Sequence, residues 1–94
     1  MVHYICFCMM TPEFLKLPIE ERESYIPIWT KLAMKHGIKL LFWGTTIGVS
    51  EHVTFVYEAP IHSENYFKFI REWLELGTPN ASKLILYTRT VTVN

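Results

Sequence analysis

The chain contains no aspartate: all nine of its acidic residues are glutamates. Every mechanism that needs an Asp is thereby removed. Charge of either sign is also missing in excess, since nine basic residues balance the nine acidic ones. No basic stripe is present to hold a phosphate backbone, so nucleic acid is not an expected partner. Only four glycines occur, and no Gly-rich loop leads from a strand into a helix, which leaves nucleotide binding without support. No apolar run approaches the ~20 residues of a membrane span, so no membrane partner is expected. The opening MVHYICFCMM lacks a basic n-region and reads as a strand, not a signal peptide. With two cysteines and no export signal, a cytoplasmic location is expected. No Ser or Cys nucleophile stands in a recognisable motif. No cofactor and no metal are expected.

What is present is apolar surface. Half of the 94 residues are hydrophobic and 15% are aromatic. The length suits one domain over residues 1–94, with net stability of about 5–14 kcal/mol at ordinary per-residue values.

Residues 2–10 form an apolar run ended by Thr11-Pro12, the pattern of a buried strand. Thr11, Pro12 and Glu13 supply an N-cap hydroxyl, a first-turn proline and an early carboxylate, so a short turn over 12–16 is predicted. Pro18, Glu20 and Glu21 open a main helix over 18–36. The Arg22 stem, Tyr25, Ile26, Trp29, Leu32 and Ala33 fall on one stripe of it. Pro27 predicts a kink or break, and Lys35, His36 and Gly37 a C-terminal cap. Residues 38–45 and 52–58 read as strands joined through a glycine-containing loop. Ser63 is the expected cap of a second helix to about Leu76, with Tyr66, Phe67, Ile70, Trp73 and Leu74 on its stripe and Gly77 and Pro79 closing it. Residues 83–93 read as the last strand. The order is β-α-β-β-α-β, an α+β ferredoxin-like arrangement with a four-stranded antiparallel sheet and two helices on one face.

Such a sheet should alternate apolar residues toward the helices with polar residues toward water. The first two strands do not. Ile5, Phe7 and Met9 point one way; Tyr4, Cys6, Cys8 and Met10 point the other. Ile38, Leu40 and Phe42 likewise oppose Leu41 and Trp43. Leaving either set wet exposes a patch that monomers rarely tolerate, and a second sheet packed against it in a homodimer is the economical solution.

With HYICFCMM as the opening strand, a long helix ending in HG, IKLLFWG before the hairpin, EHVTFVYEAP after it and the helix SENYFKFIREW, the whole chain resembles the dimeric α+β barrel superfamily of the ferredoxin-like fold. The resemblance implies a homodimer joined sheet to sheet, with pockets between sheet and helices. Members include cofactor-free monooxygenases, muconolactone-isomerase-like enzymes, haem proteins and domains of unknown role. One branch of this size uses a His–Asp pair, which cannot be carried onto a chain without Asp.

Several residues are candidates for chemistry. His3 and Glu58 sit at opposite ends of strands that would pair antiparallel, so a carboxylate could orient an imidazole base; a surface ion pair is the plain alternative. Tyr87 and Arg89 share a face of the last strand, and the arginine would suit a carboxylate or enolate unless it only guards an edge. His52, Tyr87, Arg89 and His3 are the candidate catalytic residues. Trp43, Thr54 and Glu58 are the candidate ligand-binding residues, Trp43 being equally explained as core or interface. Cys6 and Cys8 face the same way in a strand, a poor geometry for a mutual disulfide, and read as small buried apolar side chains. His36 and His62 flank helix ends and are explained by capping or by a solvated turn. The function that fits is a homodimer that binds or converts an apolar or aromatic small metabolite beside the sheet, monooxygenase- or isomerase-like if an enzyme. A non-catalytic interaction domain that assembles through its sheet is the alternative.

Overall fold

A computed structural model describes residues 1–61, 64–77 and 81–94. The predicted Ser63 cap, His62 and Pro79 lie outside the described residues. Strand β1 (Val2–Met10) is followed by a single helical turn, α1 (Pro12–Leu15), and the long helix α2 (Ile19–Lys35). Strands β2 (Lys39–Thr45) and β3 (Val53–Ala59) form the hairpin. Helix α3 (Asn65–Arg71) runs into a π-helical turn over Glu72–Gly77, and a short α4 (Ala81–Leu84) leads directly into β4 (Ile85–Val93). The sheet is antiparallel with order β2-β3-β1-β4. This is the ferredoxin-like arrangement that the element order implies.

Local chemistry explains the elements. Thr11 caps α1 by accepting from the Phe14 N–H, with Pro12 in the first turn. In α2 the positions Arg22, Tyr25, Ile26, Trp29, Leu32 and Ala33 are all buried or half-buried, as a 3.6-residue stripe requires. Pro27 is carried inside α2, which continues through it as one element. Gly37 ends the helix with φ of +75°, a conformation that costs an L side chain about 1–2 kcal/mol. The buried positions are Tyr66 and Phe69 in α3 and Trp73 in the π-helical turn that continues it. Phe67, expected on that stripe, is 63% exposed, because the packed face follows 66, 69, 70 and 73.

The core is aromatic and lies between the sheet and α2–α3. Trp73 stacks on Phe69 at 5.4 Å and meets Trp29 and Phe55 edge-on at 5.4 and 5.5 Å. Tyr4 stacks on Tyr66 at 4.0 Å. Val2, Tyr4, Cys6, Cys8 and Met10 are all buried on the helix side of β1, and His3, Ile5, Phe7 and Met9 on the other side are half-buried.

Strand β2 departs from simple alternation. The β2–β3 register shifts between Leu40 and Phe42, so Leu41 is an extra residue in a bulge. Leu40 and Trp43 therefore pair with Tyr57 and Phe55 on the helix side, while Phe42 pairs with Val56 on the other. Simple alternation would have put Leu40 with Phe42 and Trp43 opposite both. The predicted polar–apolar imbalance remains: the row Phe42–Val56–Ile5–Val91 crosses all four strands on the face without helices. The thinnest dimension is 19 Å, room for one sheet and one helix layer. No helix among the described residues is long and apolar enough to cross a membrane.

Candidate functional site

The hairpin loop between β2 and β3 is fastened at several points. Thr46 N–H donates to the His52 carbonyl and His52 N–H to the Cys8 carbonyl, both at 3.0 Å. β1 runs two residues past its last pairing with β3, which would leave the Met10 N–H unpaired on that side. His52 Nδ1 accepts it at 3.1 Å. An accepting Nδ1 places the ring proton on Nε2. Thr54, the first open-face residue of β3, hydrogen-bonds the Thr46 hydroxyl.

Glu51 is the strongest fastening. It is 4% exposed, the one buried charged residue among those described. Arg89 grips it with two parallel bonds, Nη2 to Oε1 at 2.9 Å and Nε to Oε2 at 3.1 Å, and the Tyr87 hydroxyl donates to Oε2 at 3.2 Å. Arg89 also lies over the Phe7 ring, 4.8 Å from its centroid. Hydrogen bonds from Arg89 and from the residue's own backbone N–H hold the Glu51 carboxyl down from an ordinary 4.5 to about 2. Tyr87 and Arg89 were readable as a pair that wants a carboxylate, but the sequence signal for its source was weak: one glutamate directly before the third strand.

A depressed carboxyl stabilises the fold above its unfolded value and loses that contribution as pH falls through its folded value. Glu51→Gln should therefore lower the melting temperature by a constant amount above about pH 5. That gap should close as pH falls from 4.5 toward 2. A gap that stays constant across pH 2–7 in thermal melts would rule out the ion pair as its source.

His3 and Glu58 are directly opposite in the β1–β3 register, with Nε2 and Oε2 3.6 Å apart and side chains 40% and 21% exposed. That is an ion-pair distance beyond hydrogen-bonding range, on a sheet end where such pairs contribute little to stability. His3 stands four residues from Phe7, which is level with Arg89, a separation of about 13 Å along the strand. The four candidate catalytic residues thus divide between two corners: His3 with Glu58 at one, and Tyr87 with Arg89 at the other, where His52 fastens the adjoining loop. His36 is the C-cap of α2, as its place before Gly37 implies, and its side chain also bonds Glu72 together with Lys35, joining α2 to the π-helical turn. Hydrogen bonds from Lys35 and then from His36 hold the Glu72 carboxyl below its usual range.

Trp43 and His52 meet around a groove between α1–α2 and the hairpin. A cavity of about 200 Å³ is lined by Phe14, Ile19, Ile26, Trp43 and Phe55, with Arg22 and Glu23 at its side. A second of about 260 Å³ is lined by Arg22, Thr46, Ser50, Glu51 and His52. The two share Phe14, Arg22, Thr45 and Val53, so an apolar aromatic end adjoins a polar one. Arg22 is positioned by its Nε donating to the Leu17 carbonyl at 2.9 Å and its Nη2 to the Leu15 carbonyl, with the guanidinium over Phe14. Among the described residues no group of three or more His, Cys, Asp or Glu is placed to hold a metal.

No known protein family matches the chain, and no curated protein is detectably similar to it. Solved structures do resemble it. An uncharacterised NIPSNAP domain protein from Burkholderia xenovorans superposes with a TM-score of 0.66 at 15% identity, covering 100% of this chain and 93% of that one. A putative chlorite dismutase superposes with a TM-score of 0.61 at 18% identity over 96% of this chain, which spans 42% of that protein's length. At these identities the likeness is one of fold, the α+β ferredoxin-like arrangement that the sheet order already shows.

Proposed function

We propose that the protein is a homodimer, joined through the open faces of its sheets, that binds an apolar or aromatic small metabolite in the groove beside the hairpin. The observation that carries the ligand reading is the junction of the two cavities. Trp43, Phe55 and Phe14 offer an aromatic wall continuous with Arg22, Thr46, Ser50 and His52. Such a groove suits an apolar body with one hydrogen-bonding group at its end. The assembly reading rests on the apolar row across β2, β3, β1 and β4, where Phe42 is 63% and Val91 44% exposed.

The polar end of the groove supports binding better than proton transfer. His52 spends its basic nitrogen on the Met10 N–H, and Glu51 is held as an ion pair. What they leave for a ligand are donors, the His52 Nε2–H and the Arg22 charge.

The test is fluorescence titration of the purified protein with 1-naphthol and 1-naphthoate as probes. Saturable quenching is expected with at least one of them. Trp43→Ala should weaken it about 10-fold or more, the effect of losing a large aromatic contact surface. Phe67→Ala, outside the groove, should leave it unchanged. Equal binding by wild type and Trp43→Ala would remove the groove from consideration. Native mass spectrometry of the same sample reports the subunit number.

A further inference from the structure

Cys6 and Cys8 lie on the helix side of β1, fully buried and free, with their sulfurs 3.9 Å apart. As small apolar side chains they would need only to fill space. Three features of their surroundings go beyond packing.

The first is the spacing of the sulfurs. Two thiolates at a metal–sulfur distance of about 2.3 Å are separated by about 3.8 Å at a tetrahedral angle and about 4.6 Å when linear. The observed 3.9 Å lies near the short end of that range, and opening the pair by roughly 0.7 Å, within the reach of side-chain rotation, brings it to the linear arrangement of about 4.6 Å. The second is the lining of hydroxyls. Thr90 stands opposite Cys6 and Thr88 opposite Cys8 in the β1–β4 register, and the Tyr66 hydroxyl is 2.7 Å from Thr90 Oγ1. The third is access. A cavity of about 310 Å³ between α3 and β4 is lined by Tyr66, Phe67, Ile70, Thr88, Thr90 and Thr92; neither cysteine lines it, and Thr88 and Thr90, which pair with Cys8 and Cys6, form its wall on their side.

We propose that Cys6 and Cys8 form a two-thiolate site for a soft monovalent cation of the cuprous class, reached through the cavity between α3 and β4. Zinc is unsuited, since a closed zinc site takes four protein ligands and no cluster of three or more His, Cys, Asp or Glu exists among the described residues. A soft monovalent ion accepts two thiolates, and thiolates select it over harder cations. Binding forms two metal–sulfur bonds and releases both thiol protons, leaving a complex of net charge −1. The Tyr66, Thr88 and Thr90 hydroxyls are the donors placed to stabilise that buried charge. Met10 continues the same face of β1 and is also buried, adding a soft thioether to the row.

The test is an anaerobic titration of the whole protein with cuprous ion against bicinchoninate, read from the chelator's absorbance. One ion retained per chain is expected. Cys6→Ala and Cys8→Ala should each reduce retention at least 100-fold, with circular dichroism checking the fold. A readout on the wild-type chain covers the case in which these variants unfold. Phenylarsine oxide condenses with two neighbouring thiols and loses its oxygen as water, so pretreatment should abolish cuprous binding. Failure of the wild type to retain the ion against the chelator would overturn the proposal. So would undiminished retention in the alanine variants or after arsenical treatment.

Discussion

Replacing Ile5 with glutamate is expected to turn the proposed homodimer into a monomer without unfolding either chain. Ile5 is half-buried on the open face of the central strand β1, between Val56 and Val91. In a lone chain the new carboxylate stays hydrated, so the fold tolerates it. In a sheet-to-sheet dimer it is buried without a partner, at about 3 kcal/mol or more per copy. Two copies per dimer raise the dissociation constant by about four orders of magnitude. Native mass spectrometry at micromolar concentration should show dimer for the wild type and monomer for the variant, with matching circular dichroism. A wild type that is monomeric, or a variant that remains dimeric, would remove the open face as the interface.

The largest effect on stability is expected at Trp73. Its ring is fully buried, stacks on Phe69 and meets Trp29 and Phe55 edge-on. Trp73→Ala leaves a cavity on the helix layer's contact with the sheet and should cost about 3–5 kcal/mol. Against a total near 5–14 kcal/mol, that is enough to leave a substantial unfolded fraction at 37 °C. Phe67 is its control: an aromatic residue on the adjoining helix, 63% exposed, whose change to Ala should stay within about 0.5 kcal/mol. Urea melts of the two variants measure both. Similar midpoints would mean that the aromatic cluster is not the centre of the core.

The contrast between Trp73 and Phe67 shows how far local pattern carries. Helical spacing alone puts both on one apolar stripe, because it admits 66, 67, 70 and 74 almost as well as 66, 69, 70 and 73. Packing against Trp29 and Phe55 chose between them. The stripe of α2 was legible throughout, since Tyr25, Ile26, Trp29, Leu32 and Ala33 recur at helical spacing and each is buried or half-buried. The candidate site was legible in pieces. Tyr87 and Arg89 were visible as a pair; Glu51, which they hold, was not. Their bond spans more than thirty-five residues of sequence, and no local rule reports a partner at that range.

The sequence by itself determined the β-α-β-β-α-β order, the start of α1, both ends of α2, and the excess of apolar residues on β1 and β2. Each follows from short-range physics: strand alternation, helical periodicity, capping and proline. The π-helical turn after Arg71 and the short α4, which takes Lys83 and Leu84 out of the expected last strand, came only with the structure. Only the tertiary structure decided which residues share a face where alternation breaks. The extra residue Leu41 turns Trp43 inward to the groove and Phe42 outward to the open face, because a bulge shifts strand register by one and reverses every side chain beyond it. Tertiary structure likewise gave His52 a fastening role and set Cys6 and Cys8 beside the hydroxyls of β4 and α3. These are contacts between strands and helices brought together only by folding.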